Sequence, residues 1–285
     1  MKLIYILGLE HSGTTLTDQL LSSNEGVVGL GEVANYFSES HMAQYHKRWG
    51  HLPDAYLCSC GELLDECEFW KRLVTHSGLV VDEKRTENRE KYLALLETAK
   101  SLYGDDVVLV DSSKSIRGLQ NWLVNLSYLG MSKDDVRVVF VAKDSRGFVA
   151  SMQKKATSSM NVLDVYRSFN YWSGANGELL NFLNENDLDY EICLYEELCT
   201  TPQDVLVRVL NGIVDANSVM CDVSHNQSHI AIGNKNFIMR NRSSIKYDDR
   251  WKSIRTIQLM YHANLRAKKL NREIYEKVNF SHRLL

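Results

Sequence analysis

Proline is scarce in this sequence, since only Pro53 and Pro202 occur among its 285 residues. Linkers between domains are often rich in proline and polar residues, and no proline-rich stretch marks a domain boundary here. A chain of this length is within the range that α/β folds reach as one unit. We therefore predict a single domain, 1–285, with a lid or insertion at about 35–84, where no strand–helix unit is recognisable.

An excess of charge of one sign and long apolar runs are also lacking. The formal net charge of −3 argues against a nucleic-acid binder, and no run reaches membrane-spanning length. Met1 to Gly8 has one lysine and no small-residue cleavage site, so it is read as a first strand and not as a signal peptide. These features predict a cytoplasmic protein without a transmembrane segment, whose six cysteines are free thiols.

Short apolar runs alternate with helical patterns along the chain. The runs are Leu3–Leu7, Val107–Val110, Val136–Ala142 and Tyr190–Leu194. Helical patterns cover Thr14–Leu21, Asn88–Leu102, Ile116–Leu129, Gly147–Lys155, Val162–Asn184 and Asp248–Lys269, and another helix opens at Thr201-Pro202. This alternation predicts a three-layer α/β domain in which helices flank a central, mostly parallel sheet. Ligands of such sheets bind at the carboxyl ends of the strands.

The first predicted strand runs into Gly8-Leu9-Glu10-His11-Ser12-Gly13-Thr14-Thr15, and a helix follows at once. Loop N–H groups and a helix N-terminus together attract phosphate. The two glycines have the spacing of a Walker A loop, but Thr14 stands where that loop has its lysine. Because the Walker lysine reaches the β- and γ-phosphates, its absence suits a ligand with a single 5′ phosphate. The hydroxyls of Ser12, Thr14 and Thr15 can supplement the N–H donors.

These residues resemble the sulfotransferases that use 3′-phosphoadenosine 5′-phosphosulfate (PAPS). The phosphosulfate loop of that family usually reads Arg/Lys-Ser-Gly-Thr/Ser-Thr, which Ser12 to Thr15 match, while His11 replaces the usual cation. A protonated imidazole would supply that charge. The resemblance implies a P-loop-like fold, PAPS as the sulfuryl donor, no required metal, and a loop from Glu10 to Thr15 that holds the 5′ phosphosulfate.

A second stretch, Lys143-Asp144-Ser145-Arg146 with Ser151 further on, follows the third predicted strand. It resembles the family pattern Arg-Asp-x-Arg-x-x-x-x-Ser, whose first cation and final serine bind the 3′ phosphate of PAPS. The resemblance therefore implies that role for Lys143 and Ser151, with Arg146 as a further candidate. A cation and a hydroxyl supply the charge-assisted donors that a phosphate needs. The alternative is a surface ion-pair cluster.

Two charged residues are candidates for the transfer step. Gly31-Glu32 resembles a Gly-Glu pair of several sulfotransferase groups and implies that Glu32 is the general base, which removes the proton of the acceptor. Asp111-Ser112-Ser113-Lys114 resembles the Asp-Ser-Ser-Lys of bacterial sulfotransferases and implies that Lys114 neutralises the leaving oxygen. The alternative for Glu32 is an exposed turn residue. We also expect Asp111 or Ser112 to cap the helix that follows.

The remaining family marks lie later in the chain. Tyr195-Glu196-Glu197-Leu198 resembles the family's Tyr-Glu-Asp-Leu, which implies that Tyr195 lies near the nucleotide, with strand-end packing as the alternative. The polar stretch from His229 onward resembles a loop that closes over PAPS, and its candidate ligands are Asn234, Lys235 and Arg240. Trp251 is expected in the core.

Cys58, Cys60 and Cys67 recur as a group in bacterial sulfotransferases. With His51 or His76 they could form a zinc site. The tight Cys-x-Cys spacing and the lack of an obvious fourth ligand favour packed thiols, so we predict no metal site.

The sequence thus predicts transfer of a sulfuryl group from PAPS to a hydroxyl or amine of an unidentified acceptor. Two alternatives stay open: a P-loop kinase or NTPase, and a catalytically inactive PAPS-binding protein.

Overall fold

Five parallel strands form the centre of the molecule. The computed structural model describes residues 1–52, 55–76, 88–153, 161–222, 228–233 and 245–280. The strands are β1 (Lys2–Gly8), β2 (Val27–Gly31), β3 (Val108–Lys114), β4 (Val136–Ala142) and β5 (Tyr190–Leu194), in the spatial order β2-β3-β1-β4-β5. Helices cover the sheet, so the predicted α/β fold class is confirmed.

The helices follow the predicted alternation with strands. They are α1 (Thr14–Leu21), α2 (Val33–Tyr36), α3 (Glu39–Trp49), α4 (Glu68–His76), α5 (Asn88–Tyr103), α6 (Ile116–Leu123), α7 (Ser145–Gln153), α8 (Val162–Glu185), α9 (Tyr195–Thr200), α10 (Pro202–Val209), α11 (Arg255–Ala263) and α12 (Leu265–Lys277). No helix among the described residues is long and apolar enough to cross a membrane.

The two faces of β1 explain how one chain builds two core layers. Successive side chains of a strand point to opposite faces of the sheet. Leu3, Tyr5 and Leu7 therefore join the larger apolar cluster, while Ile4 and Ile6 join the smaller one. The larger cluster takes in the buried aromatic side chains Phe69, Trp70, Tyr92, Trp122 and Trp172. Helix α4, which lies in the predicted 35–84 insertion, thus contributes to the core through two of these rings.

Strand β2 was missed by the sequence prediction. Two of its five residues are glycines, which are depleted in strands. Both glycines have steric causes. A Cβ at Gly29 would lie 2.2 Å from Oδ1 of Asp18. Gly31 has a φ of 74°, and a Cβ there would lie 2.6 Å from the side chain of Ile230.

The predicted long helix Asp248–Lys269 was also wrong. The chain forms a 3₁₀ turn at Arg250–Ser253 and then α11 and α12, which are separated at Asn264. The side chain of Asn264 accepts a hydrogen bond from the N–H of Ala267 and so caps α12. Its amide donates to Asn170 on α8, which fixes this helix junction to the domain.

Replacing Gly29 by alanine is predicted to destabilise the fold. The added methyl group would collide with the buried Asp18 carboxylate, and overpacking of this kind costs about 1–3 kcal/mol. Urea unfolding followed by circular dichroism measures the loss. The matched control is Gly177→Ala on α8, where no described atom lies within 4 Å of the new Cβ. That variant should be unchanged or more stable by up to about 1 kcal/mol. Equal stability of both variants would contradict the steric role of Gly29.

Candidate functional site

The carboxyl ends of all five strands carry the candidate residues. The predicted phosphate loop, which runs from Glu10 to Thr15, follows β1. Glu32 follows β2, Lys114 ends β3, Lys143 follows β4, and Tyr195 follows β5. Strand pairing sets Leu7 opposite Lys114 and Gly8 opposite Val141. Groups from distant parts of the sequence therefore meet along one edge of the sheet, where parallel α/β sheets bind their ligands.

The loop after β1 has the backbone of an anion cradle. His11 and Gly13 have positive φ angles of 67° and 97°, and no side chain of the described residues caps α1 after Gly13. The first N–H groups of α1 are thus left for a ligand. Ser12 is fully buried, and its hydroxyl has no hydrogen-bond partner among the described residues. A buried polar group without a partner is a place where a ligand atom would be stabilised.

The other candidate ligands of this loop differ in exposure. Thr14 is buried, Thr15 is half-buried and Glu10 is exposed. Thr14 and Thr15 begin α1, so both lie in its first turn.

Tyr195 connects the phosphate loop to the cation at the end of β4. A Cβ at Gly13 would lie only 2.8 Å from the Tyr195 ring, so the loop and the ring are in direct contact. The ammonium nitrogen of Lys143 lies 4.2 Å from the centre of the same ring, a cation–π distance.

Lys143 and Ser151 are brought together by the β4–α7 connection. Nζ of Lys143 donates to Oγ of Ser151 at 3.1 Å, and this hydroxyl donates to the carbonyl of Gly147. Lys143 is only 4% exposed. Burial lowers the pKa of its ammonium group, so an anion bound beside it would offset the cost of burying the charge.

Arg146 is held by its own loop. Its guanidinium forms a bidentate pair with Asp144 at 2.8 and 2.7 Å. The same group lies over the rings of Trp251 and Tyr261, at 4.2 and 4.8 Å from their centres. Trp251 is buried, as predicted. These contacts indicate that Arg146 shapes the turn before α7.

A buried polar network fixes the turn that carries Lys143. The carboxylate of Glu196 accepts a hydrogen bond from the N–H of Asp144 at 3.1 Å and another from the hydroxyl of Tyr275 at 2.5 Å. Asn271 accepts from the N–H of Ser145 and donates to Asp144. Burial raises the pKa of Glu196 to about 7. Helix α12 thus reaches across to hold the β4–α7 turn.

Glu32 and Lys114 form an ion pair at the ends of β2 and β3. Nζ of Lys114 donates to Oε1 of Glu32, and the side chains are 16% and 13% exposed. The second carboxylate oxygen accepts from Nδ2 of Asn35 at 2.5 Å. Lys114 has a φ of 68°, a conformation that costs energy for a residue with a side chain and that is found mainly at functional sites.

Two buried aspartates lie beneath this ion pair. Asp18 accepts hydrogen bonds from Ser112 at 2.6 Å and from the N–H of Gly31 at 3.2 Å. Asp111 accepts from Ser113 and from the indole of Trp122. Burial raises the pKa of Asp18 to about 7 and that of Asp111 to about 6.

The cap of helix α6 corrects one expectation. Its N-cap is Ser115, whose side chain accepts from the N–H of Gly118 at 3.1 Å, and not Asp111 or Ser112. The reason is that β3 continues through Lys114. Asp111 and Ser112 therefore lie within the strand, and Ser115 directly precedes Ile116, the first residue of the helix.

An open groove begins beside the Glu32–Lys114 pair. It has a volume of about 380 Å³, and its lining includes Asn35, Ser38, Lys91 and Arg117. Asn35 also donates to Glu32, so the groove and the candidate base share this neighbour.

Three predicted ligands, Asn234, Lys235 and Arg240, lie outside the described residues.

The group formed by Cys58, Cys60 and Cys67 lies within the described residues. The imidazole beside Cys58, Cys60 and Cys67 is that of His229 and not of His51. The side chain of His76 lies outside the described part of the chain.

Comparison with known proteins supports the fold. No protein-family model matches the chain, and no curated protein does. The sulfotransferase domain from the Synechococcus PCC 7002 olefin synthase is 18% identical, covers 92% of this chain and 94% of its own, and gives a TM-score of 0.54. The chain has the fold of a sulfotransferase domain. Sulfotransferase STF1 from Mycobacterium tuberculosis H37Rv is 15% identical, with 74% and 67% coverage and a TM-score of 0.40.

Sequence reasoning missed the groups that support this candidate site. Asn35 holds the side chain of Glu32, while Asp18, Glu196 and Asn271 hold the backbone of residues near Glu32 and Lys143. Asp18 could have been recognised from the sequence. It is a carboxylate on an otherwise uncharged helix, and a buried carboxylate needs hydrogen-bond partners. The other three gave no local signal, since their contacts form only in the folded chain.

The stability of the fold is predicted to fall as pH rises from about 4 to about 7 because of Asp18. Its pKa is raised from 3.8 to about 7, so the folded state binds the proton more tightly than the unfolded state throughout this window. The stabilisation is complete below the unfolded pKa and is lost as pH rises through the folded pKa, by up to about 1 kcal/mol per pH unit. Urea unfolding across this pH range measures the slope.

Asp18→Asn should make the pH dependence less steep, because the amide does not titrate. Asp105→Asn, at an exposed position, serves as the control and should keep the native slope. The role of Asp18 would be refuted by equal slopes in all three proteins.

Proposed function

We propose that this protein transfers a sulfuryl group from PAPS to a hydroxyl or amine of a carbohydrate, lipid, small-molecule or peptide acceptor. The observation that carries the proposal is the Glu32–Lys114 ion pair, which lies at the sheet edge that also bears the phosphate loop. A carboxylate and a fixed ammonium side by side are the base and the cation that transfer to an acceptor hydroxyl requires.

The donor would be held at its two phosphorylated ends. The N–H groups and hydroxyls of the loop from Glu10 to Thr15 bind the 5′ phosphosulfate, while Lys143 and Ser151 bind the 3′ phosphate. The contacts of Tyr195 with both Gly13 and Lys143 support this arrangement, because they join the two halves of the site. Arg146 would act through the turn, since Asp144 already engages its guanidinium.

The transfer step follows from the charges. The acceptor hydroxyl gives its proton to Glu32 while its oxygen attacks sulfur in line, and the bond between sulfur and the bridging phosphate oxygen breaks. Negative charge then develops on the leaving phosphate, where Lys114 and a protonated His11 neutralise it. Adenosine 3′,5′-bisphosphate leaves. These fixed cations take the part that Mg²⁺ has in kinases, so the transfer step is proposed to need no metal.

The acceptor would enter by the groove beside Asn35. Its lining by amide, hydroxyl, ammonium and guanidinium groups suits an acceptor that carries several polar groups. This supports the carbohydrate and polar small-molecule classes over a purely apolar acceptor.

Adenosine 3′,5′-bisphosphate is predicted to bind more tightly than adenosine 5′-monophosphate, because only the former has the 3′ phosphate. Lys143→Ala should weaken bisphosphate binding about tenfold to a hundredfold, the worth of a charged hydrogen bond, and leave the monophosphate unaffected. Isothermal titration calorimetry measures both ligands. Lys100→Ala, at an exposed lysine of α5, is the control and should bind as the native protein does. An absence of binding heat would exclude a nucleotide site. A preference for ATP with Mg²⁺ would favour the kinase alternative.

Lys114→Ala is predicted to reduce turnover about 100- to 1000-fold, the usual cost of removing one transition-state donor. Bisphosphate affinity should stay close to native, because the lysine acts on charge that develops during transfer. Turnover is followed with labelled PAPS and an extract of candidate acceptors, with mass analysis for added sulfate. Lys100→Ala again serves as the control. Unchanged turnover would remove Lys114 from the mechanism, and nucleotide binding without any transfer in the native protein would favour the inactive binding protein.

A further inference from the structure

Four side chains of the types that bind metals lie close together in space. Three come from one short stretch of the sequence, and the fourth comes from far along the chain. The sulfurs of Cys58, Cys60 and Cys67 and one ring nitrogen of His229 all lie within 4.8 Å of one another. In a tetrahedral zinc site with bonds of about 2.0–2.3 Å, neighbouring ligand atoms are about 3.5–3.8 Å apart. The group therefore needs only a small contraction to enclose a single ion.

His229 is oriented as a metal ligand. Its Nδ1 lies 3.2 Å from Sγ of Cys67, and its Nε2 is 2.5 Å from the hydroxyl of Tyr103. With Nε2–H donating to Tyr103, Nδ1 keeps the lone pair that a metal requires. The ring also stacks on Phe69, with centroids 5.3 Å apart and an interplanar angle of 17°. The imidazole is thus fixed on three sides.

The cysteine turn is preformed. A backbone bridge joins Leu57 to Leu63, and the N–H of Cys58 donates to the carbonyl of Glu62 at 2.8 Å. Gly61 has a φ of 97°, which allows the tight reversal. Each sulfur also contacts a backbone N–H group. The sulfur of Cys58 contacts the N–H of Cys60, that of Cys60 contacts the N–H of Glu62, and that of Cys67 contacts the N–H of Trp70. Such N–H groups stabilise the negative charge of thiolates.

We propose that Cys58, Cys60, Cys67 and His229 bind one Zn²⁺ ion in a closed, structural site. Three thiolates and one imidazole fill all four tetrahedral positions and leave none for water or substrate. The cysteines bind as thiolates, so any protons that their sulfurs carry are released to solvent. This proposal differs from the sequence-based expectation of packed thiols, which considered only His51 and His76 as a fourth ligand because His229 lies far along the chain.

The zinc ion would fasten the edge of the sheet next to Glu32. Hydrogen bonds already join the cysteine turn to the segment 228–233: Ser59 Oγ donates to the carbonyl of Ser228 and accepts from the N–H of Ile230, each at 2.8 Å. That segment runs along β2, where the N–H of His229 donates to Gly29 and the N–H of Glu32 donates to Ile232. The proposed zinc site shares no residue with the proposed donor site, and it would act on the backbone of the proposed base through the segment 228–233.

The test is metal analysis of the full chain purified without chelator, together with Co²⁺ titration of the chelated protein. We expect one zinc per chain and the intense visible absorption of tetrahedral, thiolate-bound Co²⁺. Cys60→Ser is the first variant, because Cys60 is exposed and its loss leaves the core intact. It should lower zinc affinity by at least about tenfold, and Tyr103→Phe should lower it about 10- to 100-fold. Cys221→Ser, outside the group, is the control and should bind as the native chain does.

Hydrogen exchange provides a second readout that does not depend on a variant that folds poorly. Chelation should speed exchange of the amides of Ser59, His229 and Glu32, which join the segment 228–233 to the cysteine turn and to β2. Amides of β4 should stay protected. The proposal is overturned by a zinc-free chain that fails to take up Co²⁺, by iron–sulfur absorption, by a disulfide within the group, or by Cys60→Ser that binds zinc with native affinity.

Discussion

Parallel pairing of β1 with β3 on one side and with β4 on the other determines where the candidate groups at the ends of these three strands lie. Parallel strands all deliver the chain to the same edge of the sheet, so each connecting loop begins where the others do. The register Leu7–Lys114 and Gly8–Val141 therefore sets the phosphate loop between the ion pair and Lys143. A slip of one residue would turn the side chains of a strand to the other face, and the alternating burial of β1 in two separate clusters opposes such a slip.

The ion pair is positioned by this sheet and is further constrained by its own surroundings. Lys114 ends its strand with a positive φ, and Glu32 is held by Asn35 on one oxygen. The ammonium group of Lys114 and the carboxylate of Glu32 neutralise each other in this structure. A donor and acceptor that enter between them would take over both roles, with the leaving phosphate facing the ammonium and the acceptor hydroxyl facing the carboxylate. Charges fixed before substrate arrives need little reorganisation during transfer.

Sequence patterns predicted those parts of the molecule that depend on neighbours along the chain. Apolar runs located β1, β3, β4 and β5 because these strands are buried on both faces. Strand β2 was not predicted because two of its residues are glycines. Close contacts with Asp18 and Ile230 require these glycines, and such contacts cannot be read from the neighbouring sequence. The same holds for the helix break at Asn264, where a polar residue is compatible with an exposed helical face as well as with a cap.

The candidate site shows the same division. Family-like motifs identified Lys143, Ser151, Glu32 and Lys114, and two pairs of these residues touch in the fold. Their supports were not predictable. Glu196 and Asn271 come from helices that follow the motif in sequence and return to it in space, and both bind the backbone of the β4–α7 turn. A hydrogen bond to a backbone N–H does not depend on which residue carries that N–H. The sequence therefore holds no pattern from which the contacts of Glu196 and Asn271 could be predicted.

The backbone of Glu32 is held from two directions. On the inner side the N–H of Gly31 binds the buried carboxylate of Asp18, and on the outer side the N–H of Glu32 binds Ile232. The inner support is part of the core. The outer support is a short segment, 228–233, that gains its place from the cysteine turn and from the edge of β2. A metal ion that joins this turn to His229 would hold the outer support more firmly in place. The position of the proposed base would then depend on residues that take no part in the transfer.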